Sequence, residues 1–179
     1  MDEIDDLYVQ IDDLARERPG PLELYRRWEQ QQWSATELDF SVDRQHWAMI
    51  EPAGQDDLMG FFAGFFVGEQ AVTDTLSPLV MGAPSEESRL FLATQLVDEA
   101  RHSYFFARFY SDVLGQKGTM AETLNEARGW TETDSFNQIF NIDLIESTEA
   151  VRLDPTDYST WVEAITLYHM LVEGVLALV

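Results

Sequence analysis

The chain has 179 residues, enough for one domain with a sizeable core, and its 45% hydrophobic content is typical of a globular protein. Its 33 acidic and 11 basic residues give a formal net charge of −22, which would repel nucleic acid and anionic membranes and excludes both as partners. The absence of cysteine excludes disulfides, thiolate metal ligands and thiol nucleophiles.

The start of the chain has neither the basic end nor the apolar centre of a signal peptide. No apolar run approaches the length of a transmembrane helix, and the densest, residues 61–67, is interrupted by Gly64. These features predict a soluble, cytoplasmic protein. Lys117 is the only lysine, and the acids are spread along the chain, which favours adaptation to concentrated salt. An acidic binding surface is the alternative, and it would predict clustered acids.

Two short helices are predicted ahead of the first long one. Residues 1–20 form an acidic N-terminal extension, in which apolar residues at helical spacing predict an amphipathic helix over 2–17. A second helix is predicted over residues 22–33, followed by a loop with a turn over 34–42. Trp28, Trp33 and Trp47 are interpreted as packing residues.

The first long helix is predicted over residues 56–81, with Pro78 kinking its last turn. Glu69 is the only charged residue on its apolar face. Glycines recur every fourth residue, at 60, 64 and 68, which indicates either close helix contact or space kept open for a ligand, since glycine destabilises a helix interior. Close contact is the favoured interpretation.

The second long helix is predicted to begin after Ser85, a good N-cap, and to end near Gly115. Glu99 and His102 are three residues apart on it, so their side chains share one face with apolar residues. A lone Glu-x-x-His is also compatible with an ordinary polar pair. On an inward face, however, a metal ion would remove the cost of burying the carboxylate.

The C-terminal part is predicted to contain a loop and helical segments over residues 116–153, which show packing residues only. A last helix is predicted from Asp154 as N-cap and Pro155 at the first position, through Glu173 to residue 178. The chain stops within that helix, without a polar cap.

Three helices therefore each bring a carboxylate inward: Glu69, then Glu99 with His102, then Glu173. A carboxylate-bridged dimetal bundle needs one Glu from each of two helices and Glu-x-x-His from each of two others. The second Glu-x-x-His, on a fourth core helix, is missing. The sequence predicts a single all-α domain over residues 1–179, a four-helix bundle core with extra helices, incomplete at its C-terminus.

The chain resembles the ligand-binding oxidases that look like ribonucleotide reductase small subunits. The motifs that carry the resemblance are GFFVGEQAVTD around Glu69, VDEARHSYFF around Glu99 and His102, and LYHMLVEGVLA around Glu173, with LYRRWEQQQW and DFSVDRQHW nearer the N-terminus. The resemblance implies a ferritin-like fold, a homodimer and a manganese/iron pair, with di-iron possible. It also implies that a long-chain fatty acid is held at that pair and that O2 is activated there for two-electron oxidations.

The resemblance assigns the metal ligands to Glu69, Glu99, His102 and Glu173. It also implies an ether cross-link between Val72 and Tyr168, which would otherwise be read as packing residues. Tyr168 and Glu173 are five residues apart, so they would point in different directions from a straight α-helix. A local π-helical turn is therefore expected between them, since it would bring both to the metals.

Two other functions remain open. A ribonucleotide reductase small subunit would need a large catalytic partner; such subunits usually store a radical on a tyrosine four residues after the first His. The chain has Phe106 at that position, which weakens this alternative without excluding it, because subunits that keep the oxidising equivalent on the metals also have Phe. The third alternative is a truncated, non-catalytic helical fragment that binds little metal.

Overall fold

The computed structural model describes residues 18–176, which form helices joined by loops. The all-α prediction is confirmed. The amphipathic helix predicted over residues 2–17 lies outside the described residues, as do positions 177–179. Within residues 18–176, no helix combines the length and the apolar character needed to cross a membrane.

Two long helices form the centre of the fold, and the others are arranged around them. In chain order the helices are α1 (Pro21–Gln30), α2 (Ser41–Trp47), α3 (Pro52–Thr75), α4 (Ser77–Met81), α5 (Glu86–Asp112), α6 (Met120–Arg128), α7 (Asp134–Phe136), a first π-helix (Asn137–Asp143), α8 (Leu144–Leu153), α9 (Tyr158–Thr166) and a second π-helix (Leu167–Glu173). Helices α3 and α5 pack along each other, and α1 lies on the outer side of α5.

The ends of the two long helices follow local sequence signals. The hydroxyl of Ser85 accepts a hydrogen bond from the Ser88 amide at 3.1 Å, so the predicted start of α5 is confirmed. Gly115, just beyond its end, has φ +74, a left-handed conformation that glycine adopts without strain. Helix α3 stops at Thr75 because Pro78 lacks the amide that would continue the hydrogen-bond ladder, and α4 begins at once.

The predicted start of the last helix at Asp154 and Pro155 is wrong. Asp154 instead closes a turn, in which its side chain accepts hydrogen bonds from the amide and hydroxyl of Thr156 at 3.1 and 2.7 Å. Helix α9 begins three residues later, where Asp157 accepts from the amides of Ser159 and Thr160. Both aspartates are residues that favour the N-cap position. Asp157 is the cap because its side chain accepts hydrogen bonds from two of the amides that lack a partner at the start of a helix.

The core consists of two buried clusters that meet along α3. The first lies between α3, α5 and α6, and the second joins α3 and α4 to α8, α9 and the second π-helix. The largest side chains in them with almost no exposure are Phe66, Leu76, Leu79, Tyr110, Leu144 and Tyr168. The Trp161 indole donates to the Leu79 carbonyl at 2.9 Å and fixes α9 against α4. This packing holds the second π-helix beside α5.

Candidate metal centre

The centre of the site lies between α3 and α5, where two carboxylates meet one imidazole. His102 Nδ1 is 3.1 Å from Glu69 Oε2 and 3.3 Å from Glu99 Oε2. Each of the three residues offers a ligand atom, and these atoms lie within 4.8 Å of one another. The structure therefore brings together three of the four ligands that the sequence predicted.

These groups differ in exposure. The side chain of Glu99 is 5% exposed and that of Glu69 is 18% exposed, whereas His102 is 40% exposed. The spacing of Glu99 and His102 along α5 places them on the inner face, as expected. Phe106, one turn further, stacks on Phe65 and Phe66 and presents no phenol to the site.

The second π-helix brings Tyr168 into the site. Its phenol is fully buried and donates a hydrogen bond to Glu99 Oε1 at 2.7 Å. The π-helical turn expected between Tyr168 and Glu173 is present over Leu167–Glu173. Because a π-helix is bonded from residue i to i+5, residues five apart lie on similar sides of it.

Glu173 lies at the edge of the site and outside the cluster of three. Together with Glu69 and Val72 it lines a cavity beside α3. Its own burial and then the negative charge of Glu99 raise the pKa of Glu173. Glu173 thus shares the electrostatic environment of the cluster although it is not among the three groups that converge.

Burial and hydrogen bonding change the pKa values of the acidic groups and the imidazole in the site. Burial raises the pKa of Glu69 to about 8 and that of Glu173 to about 7. Hydrogen bonds to Glu69 and then Glu99 raise the pKa of His102 to about 10. Burial opposes ionisation of Glu99, but hydrogen bonds from His102, Glu69 and Tyr168 outweigh it and lower its pKa. Without a metal, the site therefore retains protons at neutral pH.

The donor set fits a divalent metal. Carboxylates and an imidazole are ligands of iron and manganese, and a cation would replace the protons that Glu69 and His102 retain. Buried carboxyl groups are otherwise costly because their charge lacks a partner. Glu69, Glu99 and His102 are the groups that could hold the first ion, with Glu173 next to them.

An apolar cavity of about 440 Å³ opens beside the acidic cluster. It runs between α3, the first π-helix and the second π-helix, and Glu69 and Glu173 are its acidic lining residues. Of the two long helices only α3 lines this cavity, since none of the described residues of α5 is part of its wall. The opposite wall comes instead from Phe136, Ile139 and Phe140. The sequence identified these three only as packing residues, because apolar spacing does not distinguish a cavity wall from a core.

The glycines of α3 keep part of this cavity open. A Cβ atom added at Gly60 or Gly64 would meet nothing within 4 Å, and both residues line the cavity. The favoured interpretation of close helix contact is therefore wrong for these two positions. Gly68 differs, since its Cβ would lie 3.5 Å from the Phe140 ring. Glycine spacing alone could not separate these two environments.

Helix α1 and the loop after it cover the outer side of the site. The Trp33 ring stacks on His102, with ring centroids 6.0 Å apart and an interplanar angle of 22°. The helix predicted to continue to Trp33 ends at Gln30, which frees Trp33 to make this contact. The Trp28 indole donates to Asp98 Oδ2 at 2.6 Å. Trp28 and Trp33 therefore pack at the site, as the sequence analysis expected of them in general terms. Their partners are some 70 residues away in sequence, so no local pattern could predict these contacts.

These features define the class of protein. An all-helical bundle that brings glutamates and a Glu-x-x-His pair into its interior is typical of carboxylate-bridged metal proteins. Residues 15–176 match the family model of the ribonucleotide reductase small chain. The chain belongs to this family.

Solved structures of R2-like ligand-binding oxidase are similar to the chain. The form with an aerobically reconstituted Mn/Fe cofactor after a long soak is 28% identical, has a TM-score of 0.75, and is matched over 90% of this chain and 54% of that one. Two variants with an anaerobically reconstituted Mn/Fe cofactor are also 28% identical, with TM-scores of 0.75 and 0.76, over 90% of this chain and 57% and 58% of theirs. The chain thus spans less than three fifths of the length of these oxidases. The resemblance read from the motifs, and with it the ferritin-like fold class, is confirmed.

Proposed function

We propose that the chain carries the metal-binding core of an R2-like ligand-binding oxidase, which holds manganese and iron and activates O2 for two-electron oxidations. The observation that carries this proposal is the position of Glu69 and Glu173 on the wall of an apolar cavity, beside Glu99 and His102. Apolar pockets with a few convergent polar groups are the usual form of a ligand site. Di-iron is the alternative metal content.

In this proposal Glu69, Glu99, His102 and Glu173 supply four of the six ligands that a dimetal site of this kind needs. Carboxylate oxygens and a neutral imidazole suit manganese and iron. When bound, the metals supply the activation of O2. The chain contributes the negative charge that retains them, and Glu69 and His102 give up their protons as the metals bind.

The ligand proposed for the cavity is a long-chain fatty acid. Its carboxylate lies at the end formed by Glu69 and Glu173, where the metals balance the negative charges. Its chain extends along α3 towards Gly60, roughly 13 Å away for nine helical residues. Phe61 and Phe65 line that part of the cavity and exclude water from the chain.

An ether cross-link is proposed between Val72 and Tyr168. The two residues lie in one buried cluster, with 2% and 0% exposure. The coupling breaks the Val72 Cβ–H and Tyr168 O–H bonds and forms a Cβ–O bond, while two electrons and two protons pass to O2. Glu99 accepts the hydrogen bond of the phenol and is placed to receive its proton.

A homodimer is proposed through the exposed face of α5, which α1 does not bury. Leu90, Val97 and Tyr104 are 45%, 44% and 44% exposed, and the exposed Ala93 and Ala100 lie between them. All five are uncharged in a chain of net charge −22. Leu90 and Tyr104 are each seven residues from Val97, and Ala93 and Ala100 lie four and three residues from it, so an antiparallel copy of α5 crossing at Val97 places Leu90 on Tyr104 and brings Ala93 near Ala100. An isologous two-fold interface requires this self-complementarity.

A second function, the small subunit of a ribonucleotide reductase, is favoured by the match to that family's model over residues 15–176. A reductase small subunit, unlike the oxidase, would need a large catalytic subunit as partner and a metal-based oxidant in place of a tyrosyl radical. Phe106 occupies the position of that tyrosine and carries no phenol. The two functions are separated by the cross-link, which serves no purpose in radical delivery.

The test is reconstitution of the chain, completed with a fourth core helix that carries the second Glu-x-x-His, with manganese and iron, first without O2 and then in air. We expect bound metal in both samples, an intact mass lower by two hydrogen atoms after air only, and a fatty acid released by organic extraction. Digestion should yield one branched peptide containing Val72 and Tyr168. Aerobic protein with both metals bound but with its full mass and no extractable acid would favour the reductase subunit.

A further inference from the structure

The second π-helix is attached to α5 by two hydrogen bonds from adjacent residues. The Tyr168 phenol donates to Glu99 Oε1 at 2.7 Å, and His169 Nε2 lies 2.8 Å from Gln95 Oε1. Gln95 and Glu99 are four residues apart and therefore share one face of α5. The attachment thus has two points, one turn apart on α5.

We propose that Gln95 and His169 are positioning residues that hold the second π-helix in register, so that Tyr168 stays beside Glu99 when the metals bind. The inference rests on the proposed function in one respect, namely that Glu99 is a metal ligand. It assigns a role to two polar residues outside the group of three that converge on the metal centre.

The two attachments respond differently to metal. Glu99 must offer its oxygens to an ion, which weakens its hydrogen bond with the Tyr168 phenol. The imidazole N–H of His169 donates to the amide oxygen of Gln95, and neither group is a proposed metal ligand. Their hydrogen bond is therefore the one that persists through metal binding and oxidation.

The chemistry of the pair suits a constant attachment. Burial lowers the pKa of His169, which keeps the ring neutral near neutral pH. A neutral imidazole has one N–H, and here Nε2 donates it to the Gln95 carbonyl oxygen. The His169 ring also packs against Tyr168, with centroids 4.8 Å apart.

The need for an attachment follows from the geometry of the segment. A π-helix is a rare conformation that competes with the α-helix. A return of residues 167–173 to α-helical bonding would turn Tyr168 and Glu173 away from each other. A hydrogen bond at the start of the segment opposes that rotation without contacting the metals.

The test compares Gln95→Leu and His169→Leu, which remove the hydrogen bond from either side, with His169→Gln, which keeps an N–H donor. In the metal-free protein, the ring NMR signal of Tyr168 is identified by its absence in Tyr168→Phe. We expect this signal to be shifted and broadened in both leucine variants and to stay as in the wild type in His169→Gln. Gln138→Leu is the matched control, because it removes an exposed glutamine hydrogen bond of 2.7 Å on the first π-helix.

The second measurement is the yield of the cross-link per bound metal pair after exposure to air. We expect the leucine variants to lose up to about five-fold in yield, the factor that corresponds to one lost hydrogen bond, at unchanged metal content. A wild-type Tyr168 signal and yield in both leucine variants overturns the inference, and so does a failure of His169→Gln to restore them. If the wild type itself forms no cross-link, the proposed oxidase function fails, and the NMR comparison alone judges the positioning role.

Discussion

The phenol oxygen of Tyr168 lies 2.7 Å from Glu99 Oε1, so a residue of the second π-helix donates a hydrogen bond directly to a carboxylate of the candidate metal centre. Burial and the charge of Glu99 both raise the pKa of this phenol above its usual range, which keeps it protonated. The contact connects the C-terminal segment to α5 at the point where the cross-link is proposed.

Tyr168→Phe should abolish the cross-link while metal content stays at the wild-type level. The substitution removes the oxygen that forms the ether and leaves the proposed metal ligands in place. Intact mass spectrometry after aerobic reconstitution should show the full mass for the variant. Tyr158→Phe is the control, since Tyr158 is 62% exposed at the start of α9 and should lose two hydrogen atoms as the wild type does. A cross-linked Tyr168→Phe protein would contradict the assignment.

Gly64→Ala should stabilise the fold by about 0.5–1 kcal/mol, because alanine is the better helix former and its Cβ would enter open space. Gly82→Ala should destabilise it by about 1–3 kcal/mol, because its Cβ would lie 2.9 Å from atoms of both Trp161 and Val151. Denaturant unfolding of the two variants measures the difference. Equal effects would mean that the cavity wall at Gly64 is as tightly packed as the core at Gly82.

The metal-free protein should lose stability as the pH rises from 4.5, the ordinary pKa of Glu69, to about 10, the folded pKa of His102. Glu69 ionises near its ordinary value of 4.5 in the unfolded chain but at about 8 in the folded one, so the folded state holds a proton that the unfolded state has released. His102 acts in the same direction, with an ordinary value of 6.5 and a folded pKa of about 10. A group with a raised pKa stabilises the fold at low pH and loses this contribution as the pH passes the folded value.

Thermal melts in the presence of a chelator check this pH dependence. Glu69→Gln cannot ionise and should flatten the decline, whereas Glu37→Gln, an exposed position in the loop before α2, should not. Bound metal should reverse the decline, because it replaces the protons. A metal-free wild type whose thermal midpoint rises over this range would show that the cluster is not buried as described.

The thermal midpoint should rise steeply between dilute buffer and molar KCl. A net charge of −22 repels itself across the whole molecule, and the screening length falls from about 10 Å at 0.1 M salt to about 3 Å at 1 M. Sorbitol at the same osmolality is the control, because it does not screen charge. A thermal midpoint that does not depend on KCl would favour the alternative interpretation, in which the acidic residues form a binding surface for a partner.

Val97→Glu should convert the proposed dimer to a monomer, because it places two carboxylates opposite each other on the two-fold axis. Leu153→Glu is the matched control, since Leu153 is 72% exposed at the end of α8 and away from this face. Sedimentation in molar KCl measures the mass of each protein. A wild type that is monomeric, or a dimer that survives Val97→Glu, would exclude this face as the interface.

Spacing along each helix was enough to predict which side chains share a face. It placed Glu69 among the apolar residues of α3, and Glu99 with His102 on one side of α5. These are local relations, set by the helical repeat and by caps such as Ser85. The sequence by itself therefore determined the helical class, the two long helices and the three groups that converge between them. Their role as metal ligands stays a prediction.

Only the tertiary structure decided what faces those helices. The cavity wall opposite Gly60 and Gly64 comes from residues some 70 to 80 positions later, and Trp33 reaches His102 only through the docking of α1 on α5. The pattern of apolar residues is the same whether a helix meets a core, a neighbour or an empty space. Long-range packing sets that difference, because it depends on which surfaces meet when the whole chain has folded.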